Sequence, residues 1–180
     1  MKKQHRTLRR RPIFLPLLAP AFGGIVAVLA LLWLWHANEI TTVMIVRHAD
    51  IEHGSEPLRL SNTGIYRAKA LGGWLSESGL DRIYVSGFGP ARETARAVAQ
   101  ATGAEIVDAP EGDVRALTRH LGRLQGETVL VVTRREIIPE LVEGLGGFRP
   151  EIAEADHSDL IVVTDSILTR ATTVTFKYGG

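Results

Sequence analysis

From Pro12 to Asn38 the chain carries no Asp, Glu, Lys or Arg, reading "PIFLPLLAPAFGGIVAVLALLWLWHAN". Its centre, Pro16 to Trp35, matches the roughly 20 apolar residues that cross about 30 Å of hydrocarbon. Trp33 and Trp35 sit at the far end, where amphipathic rings favour a membrane interface. Ahead of the run, six of the chain's 21 Lys and Arg crowd the first eleven positions: Lys2, Lys3, Arg6, Arg9, Arg10 and Arg11. Together these features predict a basic cytoplasmic tail over residues 1–12 and a transmembrane signal anchor over 13–36. A short linker, 37–40, then leads to a domain over 41–180 on the other side of the inner (cytoplasmic) membrane, in an extracytoplasmic or periplasmic position. A cleaved signal peptide is the competing reading. Its apolar core is shorter, roughly 7 to 15 residues, and "LWLWHANEI" makes a poor small-x-small cleavage site.

All 20 Asp and Glu follow the apolar run, so the chain beyond the basic tail is acidic on balance. That argues against nucleic-acid binding. The absence of cysteine excludes disulfides, thiolate catalysis and Cys-ligated metals.

Beyond residue 40, strand-like and helix-like segments alternate, the pattern of an α/β domain with a largely parallel sheet. Thr41 to Val46 reads as a fully buried strand. "LSNTGIYRAKALGGWLSESGL" reads as a helix capped by Ser61, with Ile65, Ala68, Leu71 and Leu75 on one face and Gly79 at its end. "DRIYVS" is a short strand, and "GPARETARAVAQATG" a helix with Pro90 in its first turn and Gly103 at its stop. "AEIVDA" suits an edge strand. Val114, Leu117, Leu121 and Leu124 give "DVRALTRHLGRLQG" an apolar helical face. "TVLVVT" is a further buried strand, Ile137 to Leu145 a helix, and "LIVVT" and "TTVTFKY" two closing strands.

In open α/β sheets, ligands gather beyond the carboxyl ends of the strands. That rim collects Arg47 and His48, Ser86 and its loop, and Thr133 to Arg135. A neutral imidazole can attack phosphorus through a phosphohistidine, and an adjoining guanidinium can grip phosphate oxygens in a bidentate fork. A loop histidine with no such role is the alternative. His53 and His120 read as surface residues.

Several segments, in order, resemble the histidine phosphatase superfamily with its phosphoglycerate mutase-like fold, and its short bacterial members in particular. "VMIVRHAD" resembles the signature strand and nucleophile loop, and "LRLSNTGIYRAKALGGWL" the first helix. "DRIYVSGFGPARETARAVA" resembles the "S-x-x-x-R-(A/T)-x-x-T-A" segment. "GETVLVVTRREIIPELVEGLGG" resembles the strand and helix that carry a second histidine, and "DHSDLIVVT" with "YGG" the tail. The likeness runs from Thr41 to Gly180.

The resemblance implies a three-layer α/β sandwich with a mostly parallel sheet flanked by helices, behind the one N-terminal transmembrane helix. It implies a phosphorylated substrate or phosphate-like anion, and cofactor-free, metal-free hydrolysis with His48 as nucleophile and Arg47 on the phosphate. Two positions depart from the pattern. The second family arginine falls on Pro90 and the second histidine on Arg134. Arg134 keeps a positive charge but cannot shuttle a proton, and one lost transition-state contact costs about 100- to 1000-fold in rate. Ser86, Arg92 and Arg135 are further candidates for substrate binding, and Thr94 reads as a packing residue. Asp50, Glu52 and His157 are candidate general acids, with Glu56 and Asp156 behind them. Three functions stay open: a phosphomonoesterase weakened at two positions, a catalytically inactive anion-binding domain, and a membrane-tethered scaffold.

Overall fold

A computed structural model describes residues 15–36, 40–52, 54–110, 113–153, 156–166 and 169–178, without the side chains of 15–21, 35, 36, 166, 169 and 170. The basic tail over 1–12, positions 13 and 14, linker residues 37–39, His53 and the closing glycines lie outside the described residues. The chain forms two units, Met1–Asn38 and Glu39–Gly180. In the first, helix α1 runs over Leu15–His36, and its described side chains, from Phe22 to Leu34, are all exposed. Among the described residues no helix is long and apolar enough to cross a membrane.

The second unit is built on one six-stranded sheet, ordered β3-β2-β4-β1-β5-β6. Its strands are β1 (Thr41–Arg47), β2 (Arg82–Val85), β3 (Glu105–Asp108), β4 (Thr128–Thr133), β5 (Asp159–Ser166) and β6 (Thr169–Lys177). Helices α2 (Asn62–Leu75), α3 (Gly89–Thr102), α4 (Val114–Leu121) and α5 (Ile138–Gly144) connect them. The sheet is mixed rather than mostly parallel. β1 with β4, β2 with β4 and β2 with β3 pair in parallel, whereas β5 runs antiparallel to both β1 and β6. For β5 and β6 the reason is length: two residues separate them, enough for a hairpin but far short of the dozen or more that a parallel crossover needs.

The strand pleat sends alternate side chains of β1 to opposite faces. Met44 and Val46 join Leu71, Leu75, Ala91, Ala95 and Val98 beneath α2 and α3. Val43 and Ile45 join Leu117, Leu121, Leu141 and Val142 beneath α4 and α5. Helices therefore cover both faces, giving three layers. Each fully buried leucine in these clusters, Leu71 and Leu141 among them, contributes about 1.5–3 kcal/mol of transfer free energy.

Ser61 caps α2 by accepting the Gly64 N–H at 3.1 Å. Ile65, expected on the buried face, is 43% exposed, and Gly64 takes the buried place instead. A Cβ there would stand 2.1 Å from the Asp50 carbonyl oxygen, so α2 presses on the loop after β1 too closely for any side chain. That loop is also tied by the Ser61 N–H, which donates to the same carbonyl at 2.9 Å.

Candidate active site

β1 and β4 lie side by side and end together, Arg47 opposite Thr133. Successive connections leave this pair in opposite directions across the sheet, so a crevice opens between their carboxyl ends. His48 stands in that crevice. Its N–H donates to the Thr133 carbonyl at 3.0 Å, and it is only 6% exposed.

The imidazole is held in one tautomer. Nδ1 lies 2.9 Å from the Ala49 carbonyl oxygen, which can only accept, so Nδ1 carries the proton and Nε2 keeps its lone pair. Burial is the main influence pushing the imidazole below the ordinary histidine value of 6.5, reinforced by Arg47 and His157 and opposed by the Ala49 hydrogen bond and Glu136. His48 is therefore neutral at neutral pH, the form a nucleophile requires.

The loop around it is pinned from α3. Thr94, fully buried, accepts the Ala49 N–H at 3.1 Å and donates to the Pro90 carbonyl at 2.8 Å. Expected as a packing residue, Thr94 is also the hydrogen-bonded link between α3 and the loop that follows β1. Pro90 is buried in the first turn of α3. Phe88, just before that turn, sets its ring 5.2 Å from the His48 ring.

A second imidazole approaches from the loop before β5. His157 lies with its ring centroid 5.7 Å from that of His48, tilted by 54°, and its Nδ1 donates to the His48 carbonyl at 2.9 Å. Its neighbours are fixed. The Asp156 carboxylate accepts from the Ser158 N–H at 2.8 Å, from the Ser158 hydroxyl at 2.6 Å and from the Lys177 ammonium. Those bonds, Lys177's first, hold its carboxyl well below the usual carboxylate range. The Ser158 carbonyl accepts the Tyr178 N–H at 2.9 Å. Arg47 reaches the same loop through Nη1, which donates to the Asp156 carbonyl at 3.4 Å.

The other candidates separate. Asp50 is ion-paired with Arg67, Arg92 with Asp108, and Arg135 faces Glu136 at 3.6 Å. Glu52 and Glu56 are exposed in the loop after β1. Exposed His120 bonds the Tyr84 hydroxyl at 3.1 Å. Ser86, Phe88, Thr133, Arg134 and Glu136 line a cleft of about 950 Å³ beside the crevice. The Ser86 and Thr133 hydroxyls are buried there without a hydrogen-bond partner among the described residues. Glu136 escaped the sequence reading. Its own backbone N–H, then Arg135, Arg134 and Arg47, hold its carboxyl below the ordinary 4.5, so it sits among the site's cations. The "DHSD" segment did carry a signal, since Asp followed two places later by Ser favours the side-chain turn that fixes this loop.

Residues 43–112 match the family model described as histidine phosphatase superfamily (branch 1). No curated protein matches the chain in sequence. Among solved structures, the fold is similar to phosphoglycerate mutase from Plasmodium falciparum, at 16% identity and a TM-score of 0.56 over 77% of this chain and 91% of that one. A phosphoserine phosphatase from Entamoeba histolytica, in complex with 3-phosphoglyceric acid, aligns at 14% identity and 0.55 over 78% and 97%. A mycobacterial glucosyl-3-phosphoglycerate phosphatase aligns at 12% and 0.54 over 78% and 99%. The stretch holding the His48 loop is thus similar in sequence to the histidine phosphatase superfamily, and the domain shares its fold with phosphoglycerate mutase and phosphatase structures.

Proposed function

We propose that the domain hydrolyses phosphomonoesters through a phosphohistidine at His48, at a rate lowered by the changes at Pro90 and Arg134. The observation that carries this reading is the His48 ring, buried beside Arg47 with Nδ1 tied to the Ala49 carbonyl, so that Nε2 is the atom left to attack phosphorus. Arg47 grips the phosphate, Arg134 and Arg135 add positive charge at the rim, and Ser86 is a hydrogen-bonding candidate. Arg92, engaged by Asp108, stands outside this set. The test is phosphate release from an aryl phosphate by the full chain in detergent. Slow turnover by the wild type, abolished in His48→Ala and raised in Pro90→Arg/Arg134→His, is expected. Undiminished release by His48→Ala removes the nucleophile.

The second reading is a domain that binds a phosphate-like anion without turning it over. It is favoured by the loss of the two family side chains at Pro90 and Arg134. It predicts no release by the wild type but a thermal shift with tungstate, absent in Arg47→Ala.

Membrane attachment through residues 13–36 belongs to the same proposal. It rests on the uncharged run behind a basic tail and on the exposed apolar side chains from Phe22 to Leu34. The domain then lies outside the cytoplasm. A reporter enzyme fused after Tyr178 tests this: activity confined to the cytoplasm overturns the orientation.

A further inference from the structure

We infer that His157 supplies the second imidazole of this site, taking from the loop before β5 the part that Arg134 cannot play, with its Nε2 as the atom that gives and takes the substrate's proton. The inference rests on the phosphohistidine reading above and adds a residue and a step to it. Three observations carry it. His157 borders the nucleophile, its ring 5.7 Å from that of His48. Its Nδ1 is used up on the His48 carbonyl at 2.9 Å, which leaves Nε2, across the ring, as the atom available to a ligand. Its position is set in advance, because Asp156 and Ser158 on either side are bonded to each other, to Lys177 and to Tyr178. Preorganised groups of this kind need no rearrangement when charge develops.

The His48 Nε2 lone pair forms the bond to phosphorus while the P–O bond to the leaving group breaks and its electron pair stays on oxygen. The imidazolium form of His157 gives its Nε2 proton to that oxygen, so the product leaves as a neutral alcohol. Neutral His157 then accepts a proton from the water that attacks phosphorus, the P–N bond breaks, and inorganic phosphate departs. One imidazole bordering the His48 ring thus serves both halves. Asp50, held by Arg67, is less suited, and a guanidinium such as that of Arg134 is no proton shuttle.

Two substitutions separate this role from a merely structural one. In His157→Asn the side-chain amide replaces Nδ1 and keeps a donor for the His48 carbonyl but lacks anything at the Nε2 position. His157→Gln places its amide near Nε2 but cannot act as an acid or a base near neutral pH. Full-length protein is mixed with para-nitrophenyl phosphate, whose leaving group needs no proton, and with glycerol phosphate, whose alkoxide does. His157→Asn is expected to phosphorylate His48 within a few-fold of wild type from the aryl ester. From the alkyl ester it is expected to be about 100-fold slower, a usual size for general acid catalysis. Phosphoenzyme then accumulates, because its hydrolysis also slows. Equal losses on both esters, or none in His157→Asn, overturn the assignment and leave His157 structural. A wild type that never forms phosphoenzyme sinks the phosphatase reading instead. In that case the ¹⁵N resonance of His157 Nε2 decides: a shift on adding tungstate retains His157 as a ligand of the anion, and an unmoved resonance removes it.

Discussion

Thr94 does more for the site than its sequence context suggests, since one buried hydroxyl both accepts from the nucleophile loop and donates within α3. Replacing it by the nearly isosteric valine strands the Ala49 N–H in the interior, and an unpaired buried donor costs about 1–3 kcal/mol. Thr94→Val is therefore expected to lower the unfolding free energy measured in urea by that amount and to reduce turnover through a displaced His48. His48 makes its own prediction about pH. Its imidazole is depressed below 6.5, mainly by burial, so on acidification the unfolded chain binds the proton before the folded one. The contribution of His48 to stability is complete above pH 6.5 and is lost as pH falls through the folded-state value. Stability measured above and below pH 6.5 should fall less steeply for His48→Gln than for wild type. By the same shift, the acid limb of activity should lie below pH 6.5.

Where α2 meets the β1 loop, the contact is backbone to backbone. Gly64→Ala would push a methyl group to 2.1 Å from the Asp50 carbonyl oxygen, and neither partner is a flexible side chain. Overpacking typically costs about 1–3 kcal/mol; here a loss at the upper end, read from thermal unfolding, is expected together with weaker phosphate binding. The same contact explains what sequence could and could not disclose about the helix. The cap at Ser61 and the spacing of Ala68, Leu71 and Leu75 were legible, because capping and periodicity are local. The swap between Gly64 and Ile65 was not, because it is decided by a loop folded against the helix from another part of the chain. Strands β1 and β4 announced themselves as continuous apolar runs, as doubly covered strands do. The antiparallel pairing of β5 with β6 follows from the shortness of their connection, whereas the direction of β5 beside β1 leaves no such local sign.

Across the domain, the residues flanking His157 depend on the strand farthest from β2 and β3. Arg47 and His48 were legible at the end of a buried strand, yet the clamp on them comes from His157, 109 positions later. Contacts at that separation leave no periodic trace in a sequence. Lys177, at the end of β6, is ion-paired with both Asp156 and Asp159. Lys177→Met should loosen the 156–158 loop while leaving the core intact. Small displacements of a catalytic group cost on the order of 100-fold, so a drop in kcat of about 10- to 100-fold at nearly unchanged thermal stability is expected. An equal fall in both would mean that the lysine supports the fold alone.

During translation, His48 leaves the ribosome well ahead of Lys177 and Tyr178. Until those late residues emerge, the loop that bears His157 lacks the bonds that Lys177 and Tyr178 supply. The setting of His48 is complete only once β6 has paired with β5.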